Sequence, residues 1–298
     1  MGNCSACNGA ASNSDTINMR VLITGTSGRS GRVLAQTLAP IHDVIGIDKR
    51  PGAATTHVGD IADRDFVLQA AHGAEAIIHT ASLHAPDVPR TSKAAFIQTN
   101  LQGTFNLLDA GVANQIRRFV YTSTTSLYGY ALVPTDRAVW VTEALTPQPR
   151  DIYDVTKLAA EQLCQLYSKE HGLCVIGLRT SRFFEETPEL VTIYRLYRGV
   201  DVRDVCAAHR LALTNEEIQF DVFNISARSP FQLIDTPELL SNADRVITRY
   251  YPQAENLFRQ RGWLLPKSID RVYVISKAEA QLGYEPRYNF AEMLDSLK

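Results

Sequence analysis

The chain has 298 residues, enough for one large α/β domain with a sizeable buried core. Thirty Lys and Arg against 32 Asp and Glu leave a formal charge of −2, and that balance argues against an electrostatic nucleic-acid binder. No apolar run reaches the roughly 18 to 20 residues that a membrane-spanning helix needs, so no membrane partner is expected.

Residues 1–18, MGNCSACNGAASNSDTIN, are small and polar without hydrophobic periodicity, and are expected to form a disordered tail. Met1-Gly2-Asn3-Cys4 hints at acylation, but Ala6 stands where Ser or Thr is wanted. Cys4 and Cys7 form a single C-x-x-C, and no further pair of ligands follows at zinc-site spacing, so no metal is expected. Five scattered cysteines suit a reducing cytoplasm rather than a disulfide framework.

From Met19 onward, short β-branched runs alternate with amphipathic segments. Arg20–Thr24, Val44–Asp48, Ala76–His79, Arg118–Tyr121 and Cys174–Leu178 each read as a strand buried on both faces. Leu101, Phe105, Leu108 and Val112 recur at helical spacing. A second helical stretch, Ile152 to His171, ends at Gly172, a good terminator. The alternation predicts a doubly wound parallel sheet, a Rossmann-type core over 19–182, with a small C-terminal substrate lobe over 183–298 interleaved with the last core elements.

Directly after the first strand comes Gly25-Thr-Ser-Gly28-Arg-Ser-Gly31. Glycines at this spacing let the backbone turn tightly against a pyrophosphate, whose charge then rests at the N-terminus of the next helix. The second strand ends in Asp48, where a carboxylate can accept the ribose hydroxyls of NAD. Lys49, Arg50 and Arg29 could compensate a 2′-phosphate, so NADP stays open. Asp60, in Gly59-Asp60-Ile61, either contacts the adenine end or caps a helix beginning near Asp63. Further on, Tyr153 and Lys157 open a helix four residues apart. They share a face, where an ammonium could lower the pKa of a phenol.

Taken together, these motifs resemble the extended short-chain dehydrogenases/reductases, in the NAD-dependent epimerase/dehydratase branch. The resemblance covers about residues 19–183. It rests on the glycine motif, Asp48, Gly59-Asp60, His79-Thr80-Ala81-Ser82, Asn100-Leu-Gln-Gly103-Thr104, Thr122-Ser123-Thr124 ahead of Tyr128-Gly129, Tyr153-x-x-x-Lys157 and Leu178-Arg179. It implies that Tyr153 exchanges a proton with a substrate hydroxyl or carbonyl during hydride transfer, that Lys157 holds the nicotinamide ribose, and that Thr124 hydrogen-bonds the reacting oxygen. Around the cofactor it implies Gly25, Ser27, Gly28, Arg29, Ser30, Gly31, Asp48, Lys49, Asp60, Ile61 and Thr80. Asn100 would brace the middle of the site, and Ala81 and Ser82 either line the cleft or pack on the sheet. A homodimer through helices containing residues 92–114 and 152–171 is also implied, although their leucines could equally face the core.

Departures from the pattern narrow the activity. Dehydratases of this branch place Asp-Glu after the catalytic Thr, and here the two positions are Thr125 and Ser126. The stretch between Phe184 and Val202 is short for a nucleotide-sugar grip, which suggests a smaller, carbohydrate-like substrate, as in the similar uronate dehydrogenases. Ser123 and Ser126 are candidate substrate contacts. Arg195 and Arg198 could take a carboxylate or phosphate, or lie solvated. His84 and His209 match no catalytic position of the family and are read as structural or surface residues. The expected activity is NAD-dependent oxidation of a sugar-like alcohol, with a nucleotide-sugar 4-epimerase and a nucleotide-sensing regulator as alternatives.

Overall fold

The computed structural model describes residues 18–297, so the expectations for the tail, Cys4 and Cys7 lie outside the described residues. In chain order the elements are β1 (Arg20–Thr24), α1 (Arg29–Leu38), β2 (Asp43–Asp48), β3 (His57–Val58), α2 (Arg64–Ala70), β4 (Ala76–His79), α3 (Lys93–Phe96), α4 (Gly103–Ala113), β5 (Arg118–Thr124), β6 (Val139–Val141), α5 (Ile152–His171) and β7 (Cys174–Thr180). There follow α6 (Pro188–Tyr194), α7 (Val202–Thr214), β8 (Phe220–Ile225), α8 (Thr236–Tyr250), α9 (Ala254–Gln260), β9 (Arg271–Tyr273), α10 (Ser276–Leu282) and α11 (Phe290–Ser296).

Seven strands form one parallel sheet in the order β3-β2-β1-β4-β5-β7-β8. Successive side chains of a strand point to opposite faces, and both faces are covered. Val21, Ile23, Ile78, Val120 and Ile176 pack with Leu34 and Leu38 of α1 and Val205 and Ala208 of α7. On the other side Leu22, Ile45, Ile77, Phe119 and Val175 meet Val67 of α2, Leu107 and Leu108 of α4, and Ala160 and Cys164 of α5. All these side chains are buried, so the near-continuous apolar runs of the sequence correspond to central strands covered on both faces.

The helical pattern around Leu101 is less regular than its spacing implies, because a π-helical turn, Ile97–Gln102, joins α3 to α4. By contrast α5 runs its full twenty residues and stops at Gly172, whose φ of +69° is the left-handed conformation glycine adopts cheaply. A third apolar cluster, with Leu239, Val246, Ile247, Phe258, Val272 and Phe290, forms the C-terminal lobe. This lobe takes β6 from the earlier part of the chain and pairs it with β9, while β8 joins the main sheet, so the chain crosses between the two more than once. The crossings bring β9 beside the carboxyl ends of the parallel strands.

Candidate active site

At those carboxyl ends lies a cavity of about 760 Å³, the position where open parallel sheets bind ligands. Its two ends differ in chemistry.

At one end the lining includes Gly25, Gly28, Arg29, Ser30, Asp48, Lys49, Arg50, Gly59 and Ile61. Gly25 has φ +75°, and a Cβ on Gly31 would stand 2.2 Å from the Gly25 carbonyl oxygen, so the loop and α1 approach to a distance only hydrogen allows. The ten-residue α1 has Gly28 at its cap, with no side-chain cap hydrogen bond and no acidic residue in its first turn. Its free N–H groups and partial positive charge therefore remain available to an anion. Asp48 accepts hydrogen bonds from the Ser27 and Arg50 backbone N–H groups (3.0 and 2.9 Å), and these fix the carboxylate at the cavity wall. Lys49 pairs with Asp60 at 2.9 Å.

Reaction-competent groups gather at the other end. Asp151 caps α5 by accepting the Asp154 N–H, which sets the first turn so that Tyr153 and Lys157 face the sheet. Burial pushes the Tyr153 phenol well above its usual range. The neighbouring Thr124 hydroxyl pulls the other way, and the Asp154 and Asp151 charges push it higher. Lys157 is not among the groups acting on the phenol. Although the i, i+4 spacing places both residues on one helix face, the ammonium reaches inward, donating to the Thr122 carbonyl at 2.6 Å and lying 4.2 Å from the centre of the Tyr121 ring. Burial brings Lys157 down to about 7, opposed by the charge of Glu161.

The sheet behind this end is braced by polar contacts. Ser123 Oγ donates to Glu161 at 2.5 Å, which leaves its oxygen lone pairs as the part able to meet a ligand. Asn100 accepts the Leu83 N–H at 2.8 Å and donates to the Leu83 carbonyl at 3.0 Å, anchoring the loop that follows β4. Ser27, Gly31, Asp60 and Asn100 stand behind the cavity wall, whereas Thr80, Ala81, Ser82, Ser123, Thr124, Ser126, Tyr153, Lys157 and Arg198 line it.

Arg195 departs from its expected place as a substrate contact. It is buried and its guanidinium pairs with Asp201 at 3.1 Å, beside a smaller cavity. Arg198 stacks over Tyr194 and Tyr197 (5.0 and 6.0 Å) and has no carboxylate within ion-pair distance among the described residues. Sequence reading also missed Arg150, Arg271 and Tyr273, which line the same wall. Arg150 Nη2 donates to Ser126 Oγ at 3.2 Å. The last two reach it only because β9 pairs with β6, a long-range contact that no local motif announces. His209 is fully buried, with Nε2 on the Thr122 hydroxyl and Nδ1 on the Val205 carbonyl, but His84 lines the cavity next to Tyr153.

Fold and cavity define a dinucleotide-binding α/β protein of the Rossmann type. Residues 21–189 match the NAD dependent epimerase/dehydratase family, and the chain belongs to it. It is similar to L-arabinose 1-dehydrogenase (NAD(P)(+)) of Haloferax volcanii, 33% identical over 171 residues that cover 54% of this chain and 65% of that protein. It also resembles the low-salt glycan biosynthesis protein Agl12 of the same organism, 28% identical over 259 residues, 80% of this chain and 79% of the relative. Among solved structures, a short-chain dehydrogenase/reductase superfamily protein from Agrobacterium tumefaciens with bound NAD superposes with a TM-score of 0.69 at 22% identity, covering 93% of this chain and 95% of that one. UDP-N-acetylglucosamine 4-epimerase from Bacillus cereus gives 0.67 at 22%, covering 94% and 98%. At these identities the structural likeness is one of fold.

Proposed function

We propose that the chain is an NAD-dependent oxidoreductase acting on a secondary hydroxyl or hemiacetal of a carbohydrate-sized substrate. The observation that carries this reading is the continuity of one cavity from the uncapped α1 terminus and Asp48 to Thr124, Tyr153 and Lys157. The dinucleotide fits the residues present, since the close approach of Gly31 to Gly25 opens a backbone cradle and Asp48 offers fixed oxygens. Gly25, Gly28, Arg29 and Ser30 would hold its phosphates, Asp48 a ribose, and Lys157 the second ribose. When bound, NAD supplies the hydride acceptor.

The protein's own part is proton transfer and orientation. Thr124 and Tyr153 together grip the reacting oxygen, and Tyr153 takes its proton as the alcohol becomes a carbonyl. To accept that proton Tyr153 must stand as the phenolate, and burial keeps the phenol protonated at ordinary pH. Lys157, once drawn from the Thr122 carbonyl toward a ligand hydroxyl, brings a positive charge that lowers the phenol pKa. Arg198, with no carboxylate at ion-pair distance among the described residues, is placed to meet an acidic group of the substrate. Exposed Ile97, Val155 and Leu166 on α5 and the π-turn support the homodimer reading, and the cytoplasm is the compartment that goes with it.

The test is to denature freshly purified protein and quantify the released nucleotide, then assay uronic acids, aldoses and small secondary alcohols by NADH absorbance. An empty protein that reduces added NAD with one of them supports the dehydrogenase. Near-stoichiometric NAD that survives dialysis, with no net NADH formed, points to a 4-epimerase instead.

A further inference from the structure

Three histidines lie near the centre of the molecule, and two have both ring nitrogens engaged within the protein. His79 bonds the hydroxyls of Thr24 and Thr104 (2.8 and 3.0 Å), and His209 bonds the Thr122 hydroxyl and the Val205 carbonyl (2.7 and 2.8 Å). His84 is different. Asp87 holds its backbone from both sides, since the Asp87 carboxylate accepts the His84 backbone N–H at 2.9 Å and the Asp87 N–H donates to the His84 carbonyl at 2.8 Å, and neither bond uses the ring. The imidazole nitrogens have no hydrogen-bond partner among the described residues, and the residue lines the cavity. The ring centre is 6.1 Å from that of Tyr153 and 6.5 Å from that of Phe184, which stands edge-on to it.

The ring is also held in place. Asn100 fixes Leu83 through both its N–H and its carbonyl, and Asp87 fixes His84 itself, so the imidazole is presented from a backbone clamped on both sides. A polar atom so held in a ligand cavity without a protein partner costs free energy unless a ligand or water meets it. The titratable groups facing it are Tyr153 and Lys157 on α5 and Asp87 on its own turn. Burial first, then the Lys157 charge, brings His84 down to about 4, opposed by Asp87, so the ring is neutral at ordinary pH. A neutral imidazole nitrogen suits a hydroxyl, which can serve as donor or acceptor to either tautomer.

We propose that His84 is a specificity-determining residue that hydrogen-bonds a second hydroxyl of the substrate, on a carbon next to the one that reacts. The site therefore takes a vicinal polyol in preference to an isolated secondary alcohol. This rests on the oxidoreductase reading above and adds to it the hydroxyl pattern of the substrate. His84 is not a proton carrier in this arrangement, since Tyr153 and Thr124 already meet the reacting oxygen.

The experiment uses the Tyr153→Phe protein saturated with NADH, a complex in which binding is read without turnover. Titration calorimetry with D-glucuronate, D-galactose, L-arabinose and cyclohexanol is then repeated in Tyr153→Phe variants also carrying His84→Asn or His84→Gln. Asn leaves the backbone bonds to Asp87 in place but is shorter than the imidazole, while Gln extends an amide toward the cavity. At least one sugar should bind more tightly than cyclohexanol. His84→Asn should weaken that sugar about 10 to 100-fold, as loss of a site-built hydrogen bond does, with Gln restoring part of the loss and NADH affinity unchanged within twofold. Equal sugar affinity in the Asn variant, preference for cyclohexanol, or no sugar binding to an intact NADH complex would each overturn the assignment. His84-dependent sugar binding with no NADH formed by the unsubstituted enzyme would leave the assignment standing and sink the dehydrogenase activity instead.

Discussion

Arg179 of β7 holds Glu161 of α5 through two nitrogens, Nε at 3.0 Å and Nη2 at 2.7 Å, with both side chains almost out of solvent. Arg179 Nη1 also donates to the Tyr128 hydroxyl at 3.0 Å, which donates to Asn224 at 2.8 Å, and Asn224 reaches the Val141 carbonyl of β6 at 3.2 Å. One buried polar chain thus runs from Ser123 at the cavity to the strand pair that carries Arg271 and Tyr273.

Removing one end of that pair leaves a bare charge in the interior, whereas removing both leaves none. Glu161→Gln should lower the unfolding free energy by about 3–5 kcal/mol, and the double replacement Glu161→Met with Arg179→Met should cost much less than the single change. Urea unfolding of these proteins together with the single variants Glu161→Met and Arg179→Met decides the point. Additive losses would mean the two charges are solvated independently.

Lys157 sets a pH trend. Its value near 7 in the folded protein lies below the ordinary 10.5, so between these values the unfolded chain holds a proton that the folded site has released. Stability contributed by this residue therefore rises with pH across that window, and below pH 7 the full cost of the buried ammonium is present. Lys157→Met should gain most over the natural protein near pH 6, with the difference shrinking toward pH 10. Unfolding free energies of ligand-free protein at several pH values are the measurement, and a gain that grew with pH would contradict the burial argument.

The histidines act on the acid side. Burial brings His79 to about 3 and His209 to about 4, so between pH 6.5 and those values the unfolded chain binds protons the folded one refuses. Stability should fall as pH drops through this range, by up to about 1.4 kcal/mol per pH unit for each group. His209→Gln, whose amide can still bond Thr122 and Val205, should flatten the fall by one proton's worth, seen as a shallower dependence of the urea midpoint between pH 6 and 4.5.

Much of this architecture is legible in the sequence because local chemistry fixes it. The strands buried on both faces announce themselves as apolar runs, Gly172 marks the end of α5, and Gly25, Gly28, Gly31 and Asp48 fall where a parallel sheet brings strand ends together. What escapes is decided by distant partners. Lys157 and Tyr153 share a helix face, yet the ammonium's place is set by the Thr122 carbonyl on β5, which their spacing does not encode. Arg195 and Arg198 look alike as neighbours in sequence, but Asp201 claims the first and tyrosine rings carry the second. His84 reads as unremarkable because its position depends on the clamps from Asn100 and Asp87.

In the mechanism proposed, Tyr153→Phe removes the hydroxyl that exchanges a proton with the reacting oxygen and leaves the ring in its packing. Turnover should fall by at least about 100-fold, the low end of what general acid–base catalysis supplies. NADH affinity, measured by fluorescence titration, should stay within a few-fold. A variant that retained most of its turnover would remove Tyr153 from the chemistry.

Two glycines, both in helices, should respond in opposite ways to the same added methyl. At Gly31 a Cβ would meet the Gly25 carbonyl oxygen at 2.2 Å, so Gly31→Ala must separate α1 from the loop that precedes it. At Gly111, inside α4, the nearest atom is a Leu173 methyl at 3.6 Å, ordinary contact, and alanine there should stabilise the helix by roughly 0.5–1 kcal/mol. Gly31→Ala should therefore weaken NADH binding more than tenfold, because the backbone donors at the α1 terminus no longer converge. Gly111→Ala should bind as before and melt a few degrees higher. Fluorescence titration with NADH and thermal unfolding of both proteins test the contrast, and unchanged affinity in the Gly31 variant would remove the close loop–helix approach from the account of cofactor binding.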